Sequence, residues 1–153
     1  MAAPTYSVQS GPVALSASAT KSLILINPAV VGFRAIELSV SFDSASAGTA
    51  VRVDVYRTTT LGSPAGTTGV LVKENAPLDT AAQSTALTAL SVEPTAVEVL
   101  RSFYLTPAGG LVILQFPLGR EPAAAGAGQR IGLRCVTPAA VSPNGLAVVV
   151  FEE

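Results

Sequence analysis

Histidine and tryptophan are absent from this sequence, and cysteine occurs once. Without histidine there is no imidazole base, so Ser–His–Asp and Cys–His constellations are excluded. A single cysteine forms no intramolecular disulfide and supplies no zinc cluster. Charge is also scarce. Asp, Glu, Lys and Arg make up 12% of the chain, against about 25% in an ordinary soluble domain. Nine Lys/Arg stand against ten Asp/Glu, scattered singly. No basic stripe exists to neutralise phosphates, so nucleic-acid binding is not expected. No apolar run approaches the ~20 residues of a membrane-spanning helix. The opening "MAAPTYSVQS" has neither the basic nor the apolar region of a secretory signal.

Chemistry-bearing motifs are missing too. No GxxxxGK[ST] loop occurs, and no GxGxxG follows a strand. "GAGQRIG" (126–132) is glycine-rich but leads into a strand pattern. Glu93 with Glu98, or Asp43 with Asp54, are the carboxylate pairs that a fold might bring together. Asp54 and Arg52 fall on the polar side of an alternating strand, where charge pairs are ordinary, and read as surface residues. No calcium-loop pattern is present. Cys135 shares a face with Ile131 and Leu133 and reads as a small buried hydrophobe, with Arg134 pointing the other way. The residues therefore predict a protein without catalytic residues, cofactor or metal.

What is present is a period of two. Ile36, Leu38, Val40 and Phe42 alternate with polar neighbours, as do Val51, Val53 and Val55, and Ile131, Leu133 and Cys135. Such alternation marks strands with one dry side. "SLILIN" and "LAVVVF" are continuously apolar and read as strands buried on both faces. Pro28, Pro64, Pro77, Pro94, Pro107, Pro117, Pro122, Pro138 and Pro143 fall in the gaps, as a residue without an N–H should.

The pattern predicts an all-β chain: a single antiparallel β-sandwich or jelly-roll-like domain of about 8–9 strands with long loops. The strands are placed at 6–15, 21–27, 33–43, 50–57, 69–74, 97–106, 111–116, 130–137 and 145–152. "TPAGG" (106–110) is expected to close a hairpin between Ser102–Thr106 and Leu111–Phe116. "DTAAQSTALTALS" (79–91) is either a helix capped by Asp79 or an irregular loop, and its Ser/Thr content favours the loop. "TTTLGSPAGTTG" (58–69) and "GREPAAAGAGQ" (119–129) read as connectors. A chain of 153 residues suits one domain and buries roughly 70% of its unfolded surface. The division is an N-terminal arm at 1–11 and a sandwich at 12–153.

Three features suggest contact with other subunits. A weakly charged surface does not keep neighbours apart by repulsion. The arm, with Pro4, Thr5 and Tyr6, is placed to lie on a neighbour or add to its sheet edge. The Arg120–Glu121 pair offers a planar guanidinium for a carboxylate in the chain or across an interface. Three tyrosines and no tryptophan are a thin supply of rings for stacking on sugar. A carbohydrate- or receptor-binding module is therefore the alternative reading of the residues.

Over 92–121 and 130–153 the chain resembles a group of small tailed-bacteriophage virion proteins. The likeness rests on Leu100–Phe103, the Gly109–Gly110 turn, the Pro117–Glu121 loop and a closing strand, Leu146–Glu153, that ends in an acidic pair. It implies a non-enzymatic virion structural protein, foremost a capsid decoration (cement) protein. Such a protein is made in the host cytoplasm, sits on the capsid exterior, binds the major capsid protein and forms a homo-oligomer, with a trimer favoured. A tail or baseplate component is the other role within that resemblance. No catalytic residue or cofactor is transferred by it.

Overall fold

Each long segment presents one apolar row, so two sheets that share those rows are the way to bury them. The computed structural model describes residues 3–44, 48–61, 66–75 and 81–153. Thirteen strands and no helix occur among them: β1 Thr5–Gln9, β2 Val13–Ala14, β3 Thr20–Asn27, β4 Phe33–Phe42, β5 Val51–Thr58, β6 Thr67–Gly69, β7 Leu71–Lys73, β8 Thr85–Thr88, β9 Val97–Leu105, β10 Leu111–Gln115, β11 Ala123–Ala124, β12 Arg130–Val136 and β13 Asn144–Glu152. The first sheet runs β10-β4-β13-β1-β7, with β11 on β4 and β2 on β13. The second runs β6-β8-β3-β12-β5-β9. All pairings are antiparallel. The fold is a β-sandwich with jelly-roll-like crossovers, since β3, β4 and β5 alternate between the sheets, as do β9, β10, β12 and β13 in part.

The core lies between the sheets. Leu38, Val40 and Phe42 of β4 and Ala147, Val149 and Phe151 of β13 face Val51, Val53 and Val55 of β5 and Ile131, Leu133 and Cys135 of β12, all buried. Phe151 anchors it, with its ring 5.9 Å from Tyr6 and 5.4 Å from Phe33, the latter edge-on, an arrangement aromatic quadrupoles favour.

Besides splitting the strand placed at 69–74 between β6 of the second sheet and β7 of the first, the structure departs from the sequence pattern in four places. Thr106–Gly110 does turn the chain, but β9 pairs with β5 and β10 with β4. The turn therefore carries the chain from one sheet to the other instead of closing a hairpin. Phe103 and Leu105 must face Val112 and Leu114 across the core, and five residues reach easily across the ~10 Å between sheets. Second, the stretch read as loop or helix contains β8, aligned with β3 from Ile24↔Thr88 to Asn27↔Thr85. Its β-branched threonines suit a strand, while Asp79 lies outside the described residues. Third, 6–15 is two strands, broken where Gly11 takes a φ of +68° ahead of Pro12. Fourth, β13 is buried on one face only: its burial alternates, while β3 is buried from Ser22 to Ile26 as expected.

Both flanks of the sandwich are bridged. Val70 alone separates β6, at one edge of the second sheet, from β7, at an edge of the first. The Thr106–Gly110 turn links the opposite edges, β9 and β10. Prolines 28, 94, 107, 117, 122, 138 and 143 all lie between strands; 64 and 77 fall outside the described residues.

One glycine is fixed by close packing. A Cβ on Gly132, at the centre of β12, would fall inside the Tyr56 ring, which is fully buried. Gly132→Ala is expected to cost about 3 kcal/mol through overpacking, read as a lowered urea midpoint at an unchanged denaturant slope.

Candidate interaction face

The two sheets treat their outward faces differently. On the second sheet the outward residues form a polar ladder, with Arg52 Nε and Arg130 Nε buried without a hydrogen bond among the described residues. Asp54 of β5 is fully buried. Its carboxylate lies 3.1 Å from Arg134 Nε and 3.1 Å from Arg52 Nε, and accepts the Ser102 hydroxyl at 2.7 Å. Arg134 also sits over the Tyr56 ring, 5.4 Å from its centroid. The Tyr56 hydroxyl bonds Ser22 Oγ at 2.8 Å, and Ser22 donates its backbone N–H to Glu93 at 2.7 Å and its hydroxyl to the same carboxylate. The segment carrying Glu93 crosses this face, with Ala89 and Leu90 bonded to the β3 carbonyls of Leu23 and Ser22. Leu90 closes over Leu25 and Tyr56 in a small second core.

Asp54 is thus not the surface residue its place on an alternating strand implied. Flanking arginines and the β9 hydroxyl enclose it, and their charge offsets its desolvation. The expected carboxylate pairs do not form dyads. Glu93 serves Ser22, Glu98 pairs with Arg57 at 3.3 Å, and Asp43 accepts from Asn144 at 3.0 and 3.1 Å. Each carboxylate is engaged in holding backbone or a cation. Removing Asp54 strands two guanidinium groups, one of them mostly buried, so Asp54→Ala is expected to cost about 3 kcal/mol in chemical denaturation.

Among the described residues, the first sheet keeps apolar side chains partly open to solvent. The register places Leu111 beside Ser41 and Leu146 in one cross-strand row, and Ile113, Ser39, Val148 and Gln9 in the next. A third row runs Gln115, Glu37, Val150, Ser7 and Val72. Leu111 and Ile113 are 61% and 57% exposed and Val72 55%, while Leu146, Val148 and Val150 are half-buried. Serines between them keep the surface low. The one charge in these rows, Glu37, accepts the Gln115 amide at 2.8 Å. An antiparallel sheet facing water normally carries polar residues on that side. Here a central strand, β13, points Leu, Val and Val outward. A broad apolar patch of this kind marks an interaction surface.

The residues singled out in the sequence fall around this sheet. Thr5 and Tyr6 belong to β1, an interior strand between β13 and β7. Tyr6 is 3% exposed and packs on Phe151, so its ring faces the core and not a neighbour. Burial raises its hydroxyl pKa, and the Glu153 carboxylate adds to the rise. The Thr5 N–H bonds the Asn75 side chain at 3.0 Å, and the Pro4 carbonyl accepts from Glu153 N–H at 3.3 Å. Met1 and Ala2 lie outside the described residues. Arg120 is exposed and Glu121 half-buried, in a turn closed by Arg120 N–H to the Pro117 carbonyl at 2.9 Å. Gly119, at φ +82°, makes that turn, beside Leu118 at 84% exposure. No ion pair among the described residues involves Arg120 or Glu121. β4 and β13 separate this loop's neighbour β10 from β1 in the sheet, so the two sets of residues do not form one site.

Leu111, Ile113, Leu146 and Val148 were not singled out from the sequence. Their signal was the unbroken apolar run "LAVVVF", which reads equally as a strand buried within one chain. Only one tyrosine, Tyr104, reaches solvent, at 68% exposure; Tyr56 and Tyr6 are inside. A sugar-stacking platform would have a single tyrosine ring.

Cys135 is fully buried. Desolvation pushes its thiol up to about 12, with Asp54 and Glu93 adding to the rise. Burial likewise raises Tyr56, which the Ser22 bond partly opposes. Both groups keep their protons in the folded state where the unfolded chain, with ordinary values of 9.0 and 10.0, loses them. The folded state then binds more protons, so stability falls as pH rises. The urea midpoint is expected to lose none of this contribution below about pH 9 and to decline from there toward pH 12. Thiol reagents at pH 8 are expected to label Cys135 only on unfolding.

No family model matches the chain, and no curated protein matches it. Among solved structures it is similar to an infectious bursal disease virus Gt strain structure, at 12% identity and a TM-score of 0.29, over 97% of this chain and 42% of that one. A second is cocksfoot mottle virus, at 11% identity and a TM-score of 0.29, over 95% and 94% of the two chains. A third is the infectious bursal disease virus VP2 subviral particle, at 13% identity and a TM-score of 0.27, over 97% and 41%. The chain thus spans less than half the length of the first of these.

Proposed function

We propose that this chain is a non-enzymatic structural protein of a virion, and within that class a capsid decoration (cement) protein. It is made in the host cytoplasm and binds the major capsid lattice from outside through the apolar outward face of its first sheet. The single observation that carries this reading is β13, a central strand whose outward residues Leu146, Val148 and Val150 stay only half-buried among the described residues. A stable sandwich gains nothing from an apolar outer face; a subunit that adheres to a preformed surface does. Burying a Val or Leu side chain contributes about 2 kcal/mol, so a few such residues over a broad face hold a subunit without any charged anchor. The 12% charge content fits a surface covered by neighbours. The resemblance of Leu100–Phe103, Pro117–Glu121 and Leu146–Glu153 to small phage virion proteins supports the same role. Arg120, exposed, and Glu121, half-buried, follow β10 and are placed to add polar contacts at the rim of the face. In this reading the protein acts as a closed homo-oligomer.

The test is rebinding. Purified protein is mixed with capsids stripped of it, and bound protein is measured after sedimentation. Wild type is expected to bind. Leu146→Gln/Val148→Gln, which leaves the core face of β13 untouched, is expected to bind at least tenfold more weakly. Equal binding by wild type and variant overturns the reading. So does immunogold labelling that finds the protein on the tail.

A further inference from the structure

We infer that the free edge of β10 is a homodimer contact, in which two copies pair their β10 strands antiparallel about a two-fold axis through Ile113. The contact is independent of what the apolar face binds.

β10 ends the first sheet and bonds β4 on one side only. The Gly110 carbonyl accepts from Phe42 N–H at 3.0 Å, and Phe116 N–H donates to the Ile36 carbonyl at 2.9 Å. Even-numbered residues here therefore turn their backbone groups toward β4. By strand alternation, the N–H and C=O groups of Leu111, Ile113 and Gln115 point outward. Among the described residues these six groups have no partner, on a straight edge that is a ready template for another strand.

Folded proteins protect such edges with charge, proline, bulges or extreme shortness. The other three edges here are protected. β9 carries Glu98 and Arg101 and is bulged opposite the Val55/Tyr56 step. β6 and β7 have three residues each. β10 has none of these devices. Its sequence "LVILQ" contains no charge and no proline, and its register with β4 is unbroken from Leu111↔Ser41 to Gln115↔Glu37.

The edge is also complementary to itself. An antiparallel pairing that continues a sheet by two-fold symmetry aligns residues of the same facing. With Ile113 opposite its own copy, Leu111 falls opposite Gln115 and Val112 opposite Leu114. The three outward-bonding residues of one copy then meet the three of the other, and all six groups on each side find partners. No like charges meet. The apolar outward face continues across the joint from Ile113 to Ile113. A charged, bulged or longer partner strand gains no such full register.

Ile113 is 57% exposed, so charge there is tolerated by the fold but not by the two-fold axis. Sedimentation equilibrium on wild type is expected to give a dimer. Ile113→Lys and Ile113→Glu are each expected to weaken it at least tenfold, because like charges oppose each other across the axis. Mixing the two variants is expected to restore a dimer, since Lys then faces Glu. A merely misfolded variant would not be rescued, and circular dichroism of each alone should match wild type. In wild type, hydrogen exchange at the Ile113 amide, which faces away from β4, is expected to slow with rising protein concentration. A monomeric wild type, a dimer indifferent to charge at 113, or no rescue on mixing overturns the proposal. The Leu146→Gln/Val148→Gln variant keeps the dimer, so loss of capsid binding and loss of pairing are read separately.

Discussion

A β-strand has two faces, and a two-layer sandwich supplies protein to only one face of each sheet. Along β13 this constraint meets a sequence that is apolar at both. Ala147, Val149 and Phe151 fill the interior, where Phe151 gathers Tyr6 and Phe33. Leu146, Val148 and Val150 are left over, aligned with Leu111 and Ile113 by the register through β4. The packing cannot be reversed to hide them. A one-residue slip would trade one apolar row for the other and put the serines of β4 inside. The outward face is a fixed consequence of the inward one.

The second sheet shows how this protein covers an outward face when it has the means. A crossing segment brings Leu90 and Glu93 over β3, and two polar groups beneath are each held by several partners: Asp54 by two arginines and a serine, Ser22 by Glu93 and Tyr56. Gly132 removes a side chain so that the Tyr56 ring can lie in that row. Such a network rigidifies one side of the sandwich and gives Asp54, Ser22 and Tyr56 partners inside the chain. The result is an asymmetric molecule, sealed by its own residues on one side and apolar on the other. The proposed capsid contact and the proposed β10 joint both lie on the unsealed sheet, so pairing two copies enlarges one continuous face.

Much of the architecture was legible in the residues. Alternation and continuous apolar runs located seven of the nine strands placed, proline placement located the gaps, and Cys135 was read correctly as a small buried side chain; the strands placed at 6–15 and 69–74 each proved to be two. The hairpin expected at Thr106–Gly110 was not, because a turn signal states that the chain reverses and not which sheet it returns to. β8 escaped because Ser, Thr and Ala carry weak hydrophobic contrast, and its pairing depends on the distant β3. Asp54 looked exposed because period-two reading assigns a face, not what covers it. The apolar face escaped for the converse reason. "LAVVVF" announces a strand buried on both sides, and only the fold reveals that one of those sides is left half-buried among the described residues. Tyr6, read as part of an arm, belongs to the core because β1 is held on both sides by its own sheet.

Oxidative footprinting of the protein free and in its assembled particle tests the central claim most directly, because it reports side-chain exposure residue by residue on both sheets. The account predicts that Leu111, Ile113, Leu146 and Val148 lose reactivity on assembly while Tyr104, on the second sheet, keeps its own. Unchanged reactivity across the first sheet, or protection confined to the second, would contradict it.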